Sequence, residues 1–85
     1  MNTVEENKLL LNIDKIHSTD SGVVRIRRNL SLDTDDVARW CKLKIQNTGS
    51  SIIRRGKNWY VSIDNCIITI NASSYTIITA HKITK

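Results

Sequence analysis

Residues 51–72, SIIRRGKNWYVSIDNCIITINA, decide the fold class of this 85-residue chain. Within them β-branched and aromatic residues alternate with polar ones, and two breaks, Gly56-Lys57 and Asp64-Asn65, have the composition of tight hairpin turns. The alternation resumes after Tyr75. The pattern predicts four antiparallel strands at residues 51–55, 58–64, 66–72 and 76–83.

The residues before position 50 follow the period of amphipathic helices instead. Apolar residues from Leu9 to Ile16 recur every three or four positions, which predicts a first helix over residues 4–17. The polar cluster at residues 18–22 interrupts this pattern and offers caps for a short second helix, and Asp33 or Thr34 can cap a third. Two to three helices followed by strands predict an α+β fold, with the helices packed on one face of a four-stranded meander sheet.

Length and composition narrow the class of protein. A chain of 85 residues predicts one domain over residues 1–85, and its longest apolar run is far shorter than the about 20 residues that cross a bilayer. A polar start without a signal core favours a cytoplasmic protein, in which Cys41 and Cys66 stay reduced. No spacing of metal ligands and no phosphate-binding loop is present, so we expect neither a metal nor a cofactor.

Positive charge is concentrated in the second half of the chain. Residues 1–43 hold seven basic and seven acidic side chains, whereas residues 44–85 hold six basic ones and Asp64 as the sole acid. Such asymmetry attracts polyanions, so RNA or another polyanion and an acidic protein are the expected partners. Three arginines of the second predicted helix, Arg25, Arg27 and Arg28, add a further basic surface.

The candidate binding residues lie in and around the predicted strands. Arg54, Arg55 and Lys57 can hold phosphate, and Tyr60 can stack on a base because it alternates with the expected core residue Trp59. The full binding set is Arg54, Arg55, Lys57, Tyr60, Asn71, Ser74 and Lys82. Arginines on an outer strand also have a purely structural use, since they discourage aggregation at a sheet edge.

The candidate catalytic residues are His81 and Thr79, and their placement depends on the loop between the last two strands. With an odd number of loop residues they share a polar face with Thr69 and Asn71, opposite a core face that includes Ile78. With an even number they face the core, where His81 is a packed residue. We expect the odd loop, in which His81 is available as a general acid or base.

Three segments carry a resemblance to a known family. Residues 27–37 (RRNLSLDTDDV), 56–60 (GKNWY) and 75–82 (YTIITAHK) resemble a family of short bacterial domains of unknown function. The resemblance covers nearly the whole chain and implies one domain without implying an activity. More remotely, helices followed by a meander that ends in Ile-Thr-Ala-His are similar to the barnase, colicin and RelE group of metal-independent ribonucleases and toxins. Because no glutamate follows Glu6, the sheet lacks the Glu and His pair of barnase.

Two functions follow from these features. The first is a non-catalytic module that binds nucleic acid or a protein through a basic face of the sheet. The alternative is a metal-independent ribonuclease in which His81 acts on RNA held by the basic residues. A dimer that forms through an open sheet edge is a third possibility.

Overall fold

The computed structural model describes residues 4–34 and 36–83 of the chain. Three α-helices precede four β-strands, and a short 3-10 helix, Ile13–Lys15, follows the first helix. The helices are α1 (Val4–Leu11), α2 (Asp20–Leu30) and α3 (Val37–Ile45). The strands are β1 (Ser51–Arg55), β2 (Asn58–Ile63), β3 (Cys66–Asn71) and β4 (Ile77–Lys82). None of the described helices is long and apolar enough to span a membrane.

The four strands form one antiparallel sheet in the order β1-β2-β3-β4. Between β2 and β3, Asp64 and Asn65 have φ angles of 50° and 63°, the left-handed conformation that a two-residue hairpin turn needs. Gly56, with φ of 61°, begins the turn between β1 and β2. The expected α+β fold, with N-terminal helices and a C-terminal meander, is confirmed.

The hydrophobic core lies between the helices and one face of the sheet. Alternate residues of the strands point into it, as the two-residue period predicts. Trp59, expected to be a core residue, is fully buried, and Trp40 is half-buried against the same cluster. The fully buried large side chains are Leu9, Ile26, Val37, Cys41, Ile45, Trp59, Val61, Ile68, Ile70 and Ile77.

Five residues, 72–76, connect β3 and β4, which agrees with the expectation of an odd loop. Asn71 N donates to Thr76 O at 2.9 Å, and Tyr75 N donates to Asn71 O at 2.9 Å. Tyr75 in this loop has φ of 61°, a conformation unfavourable for a side chain of its size. Its ring is nevertheless buried and lies 5.3 Å from the ring of Trp59, so packing offsets the backbone cost.

The pairing of β3 with β4 shifts by one residue close to this loop. Ile70 of β3 pairs with Ile77, but the preceding residue, Thr69, pairs with Thr79. Ile78 is therefore an extra residue in β4, and such a β-bulge shifts the alternation of faces by one residue in the rest of the strand.

The bulge sends the polar residues of β4 away from the core. Thr79 and His81 lie on the same face as Thr69, which is the arrangement expected for the catalytic candidates. Ile78 does not belong to the core as expected, since its side chain is 38% exposed, and Ile77 is buried instead.

The N-terminal segment departs from the prediction at two places. The first helix ends at Leu11 rather than at residue 17, because the side chain of Asn12 donates to Lys8 O and Ile16 has an extended backbone. The cap of α3 is Asp36, whose carboxylate accepts from Arg39 N at 3.1 Å. The predicted caps Asp33 and Thr34 lie before it.

Burial on the helix-covered face of the sheet dominates stability. We expect Ile68→Val, which removes one methylene from a fully buried side chain, to lower the free energy of unfolding by about 0.5–1.5 kcal/mol. Ile53→Val is the matched control on the open face, where the side chain is 51% exposed, and we expect a change of less than about 0.5 kcal/mol. Urea denaturation measures both, and equal losses would contradict the assignment of the two faces.

Candidate functional site

The predicted site residues fall at two separate places on the sheet. Arg54, Arg55, Lys57, Asn71 and Ser74 lie at the end formed by the β1–β2 turn and the β3–β4 loop, which we call the turn end. Lys82 lies at the opposite end of the sheet, where it pairs with Cys66 beside the β2–β3 turn, and Thr79 and His81 lie on β4.

The turn end is held together by main-chain and amide hydrogen bonds. Ala72 N donates to Lys57 O at 2.8 Å and so joins the loop to the β1–β2 turn. The carboxamide oxygen of Asn71 accepts from Ser73 N and Ser74 N, both at 2.9 Å, in the manner of an Asx turn. Asn71 therefore shapes the loop, and its oxygen is already in use there.

A basic pocket of about 410 Å³ opens at this end. Three of its described lining residues are cationic, namely Lys8, Arg54 and Lys57. Asn71, Ala72 and Ser73 complete the described wall, which contains no acidic side chain. Such a wall attracts anions. Each lysine places a positive charge there on a flexible side chain, and the backbone dipoles nearby are held in fixed positions.

The side chain of Arg54 contacts two nearby groups that hold it in place. Its Nε donates to Gly56 O at 2.9 Å, and its guanidinium carbon lies 5.6 Å from the ring centre of Trp59. Register places Arg54 opposite Trp59 on the helix side of the sheet, whereas Arg55 faces the other side. The two consecutive arginines thus serve different surfaces.

The face of the sheet that the helices leave open carries a shallow groove of about 320 Å³. Its described lining residues are Ile53, Arg55, Tyr60 and Ile67. Tyr60 is half-buried and lies between its cross-strand partners, Ile53 of β1 and Thr69 of β3.

His81 is far from the basic pocket. β1 and β4 are the outer strands, and the row Arg55–Asn58–Asn71 lies four residues along the sheet from the pair Ile67–His81. Strand spacing and rise then put the Cα atoms of Arg55 and His81 roughly 20 Å apart. The His81 side chain is exposed and makes no hydrogen bond with the described residues.

A second histidine, His17, has the polar contacts that His81 lacks. Its backbone forms a parallel bridge with β4: His17 N donates to Tyr75 O, and Ile77 N donates to His17 O. Its Nε2 lies 3.1 Å from the hydroxyl of Thr76, which lies 2.7 Å from that of Ser74. The predicted first helix over residues 4–17 places His17 at a helix end, so this contact was not expected.

The donor and the acceptor in the bond between His17 and Thr76 follow from the contact of His17 with Lys15. His17 Nδ1 lies 2.9 Å from Lys15 O, and a carbonyl only accepts, so Nδ1 carries the hydrogen. In the neutral ring Nε2 is then the acceptor for the Thr76 hydroxyl. The network ties the segment before α2 to the loop that forms the turn end.

Lys8 is the other functional candidate that sequence analysis missed. Little in the sequence marks Lys8 as a binding residue, since it is one exposed lysine next to the buried Leu9 of α1. Only the packing of α1 beside β1 brings it to the wall that Arg54 and Lys57 share.

Cys41 and Cys66 are free thiols in the buried part of the structure. Burial, and secondarily the neighbouring Cys66, raises the pKa of the Cys41 thiol from its ordinary value of 9.0 to about 12. The protonated thiol stabilises the folded state fully below about pH 9, and this contribution is lost as pH rises toward 12. Within residues 4–34 and 36–83, no three His, Cys, Asp or Glu side chains could hold a metal ion together.

The chain belongs to the DUF3781 family of proteins of unknown function, whose model matches residues 10–81. This membership confirms the expected resemblance to a family without an assigned activity. No curated protein and no solved structure matches the chain. The similarity to the barnase, colicin and RelE group stays a prediction.

The His17 network predicts a specific loss of stability. We expect Thr76→Val, which keeps the branched shape but removes the hydroxyl, to lower the free energy of unfolding by about 0.5–1.5 kcal/mol. Thr79→Val is the matched control, since Thr79 makes no side-chain hydrogen bond with the described residues. In a double-mutant cycle by urea denaturation, additivity of Thr76→Val and His17→Ala would contradict the contact.

The pKa of Cys41 predicts low reactivity. With a pKa of about 12, the thiolate fraction at pH 8 is on the order of 10⁻⁴, so iodoacetamide should leave Cys41 unmodified in the folded protein. Peptide mass spectrometry measures the modification, with the protein in concentrated urea as the control. Alkylation at the same rate in both conditions would show that Cys41 is not buried.

Proposed function

We propose that this member of the DUF3781 family is a non-catalytic module that binds the phosphate backbone of RNA at the turn end of its sheet. One observation carries the proposal: Lys8, Arg54 and Lys57 line the same pocket, although α1 and the β1–β2 turn are far apart in sequence. Folding thus brings together charges that the chain itself separates.

The physical basis of binding is release of counterions from the nucleic acid. Each lysine or arginine that neutralises a phosphate frees a condensed cation, and this entropy gain is independent of base sequence. The formal net charge of +5 attracts the polyanion over long range, and the pocket offers it short-range contacts. Lys8 and Lys57 suit this role because both side chains are exposed.

The position of this surface differs from the basic sheet face expected from the sequence. Of the arginines of β1, Arg55 alone faces the open side, and Lys57 belongs to the turn. The surface we propose therefore runs around the end of the sheet. Lys82 lies at the other end and is left out of it.

The geometry gives no support to the alternative, a ribonuclease centred on His81. A general acid or base must come within about 3 Å of the proton that it transfers. The roughly 20 Å between the Cα atoms of Arg55 and His81 is too long for one phosphodiester to meet both. We therefore assign no cleavage step to His81.

Replacing the pocket lysines should weaken RNA binding through charge alone. We expect Lys57→Ala and Lys8→Ala each to reduce affinity for a short RNA and to lower the slope of log K against log salt by about 0.7. The matched control is Lys82→Ala, an exposed lysine at the opposite end of the sheet, which should leave the slope unchanged. Fluorescence anisotropy at several salt concentrations measures both quantities.

Two outcomes would contradict the proposal. Equal effects of Lys57→Ala and Lys82→Ala would indicate diffuse attraction by net charge, and an absence of RNA binding at low salt would direct the search to an acidic protein. The same RNA, recovered after incubation in EDTA, should be intact. Cleavage that disappears in His81→Ala would instead establish the ribonuclease.

A further inference from the structure

The groove on the open face has the form of a site for a flat, apolar ring. Its described lining consists of the ring of Tyr60, two isoleucines, Ile53 and Ile67, and one cation, Arg55. Ile53 is 51% exposed, so a large apolar side chain is left in contact with solvent beside the phenol. A volume of about 320 Å³ is at the lower end of the range for small-molecule sites.

The charges around the groove favour an anionic occupant. Register places Arg55 on the open face, and no acidic residue of the four strands shares it. Arg55 can also stack on an aromatic ring or pair with a phosphate, since its guanidinium is flat and always charged. An apolar ring that carries phosphate fits this combination of apolar side chains and one cation.

The groove and the basic pocket are joined by one strand end. Arg54 lines the pocket and Arg55 lines the groove, and alternation along β1 sends these consecutive residues to opposite sides of the sheet. The turn that carries Lys57 lies directly after them. A polymer that crosses this turn meets cations first and the ring of Tyr60 next.

We infer that the groove binds an unpaired nucleobase stacked on Tyr60, so that the nucleic acid bound by this domain is single-stranded. The inference rests on the proposed function, which supplies the phosphate contacts at the turn end. In a duplex the faces of the bases are covered by their neighbours and cannot reach Tyr60. Stacking on an aromatic side chain tolerates any base, so we expect little sequence preference.

Binding measurements with three probes test the inference: a short single-stranded RNA, the same sequence as a blunt duplex, and inorganic polyphosphate of matched charge. Tyr60→Ala should weaken binding of the single strand at least about fivefold and leave binding of polyphosphate unchanged. Tyr60→Phe keeps the ring and should retain affinity. Ser62→Ala, on the same strand and face, is the matched control.

Each other outcome overturns the inference, and one of them also overturns the proposed function. If Tyr60→Ala weakens single strand and polyphosphate equally, Tyr60 acts through the structure of the sheet. If Tyr60→Ala weakens neither while Lys57→Ala weakens both, phosphate binding stands and the base site is wrong. If wild type binds none of the three probes, both proposals fail.

Discussion

The extra residue in β4 is the constraint on which the rest of the structure depends. Without Ile78 as an extra residue, the register that pairs Ile70 with Ile77 would continue and turn Thr79 and His81 toward the helices. A histidine there would need a buried hydrogen-bond partner. Burying a polar group without such a partner costs on the order of several kcal/mol. The bulge avoids this cost and leaves Ala80 fully buried.

The same loop connects the core to the candidate site. Tyr75 packs its ring on Trp59, while its carbonyl accepts from His17 N and the following Ile77 N donates to His17 O. Asn71 fixes the loop from within, and Ala72 links it to the turn of Lys57. Cations of α1 and of the β1–β2 turn therefore meet around a loop whose conformation is determined on both sides, which is the preorganisation that binding requires.

Much of the fold could be predicted from the sequence because the hydrophobic period changes from helical to alternating near residue 50. Turn composition at Gly56 and Asp64 located the first two hairpins. The bulge could not be predicted, because Ile77 and Ile78 are equally apolar and either can be the buried one. The end of the first helix was also missed, since Ile16 is buried whether its backbone is helical or extended.

The candidate site was predictable in its residue types but not in its grouping. Arg54, Arg55 and Lys57 stood out as a basic tract, yet their division between two surfaces follows from strand alternation at the sheet edge. Lys8 and His17 reach the turn end through tertiary packing alone, which no local pattern in the sequence encodes. His81 is prominent in the sequence but lies on β4, the outer strand farthest from β1.

The most direct test of a polyanion surface at the turn end is a titration of nitrogen-15-labelled protein with a short single-stranded RNA, followed by NMR of the backbone amides. We expect the largest shift changes at residues 53–60 and 71–74, with small changes on α3. Largest changes around Arg25 and Arg28 of α2, or around His81 and Lys82, would contradict the surface proposed for this domain.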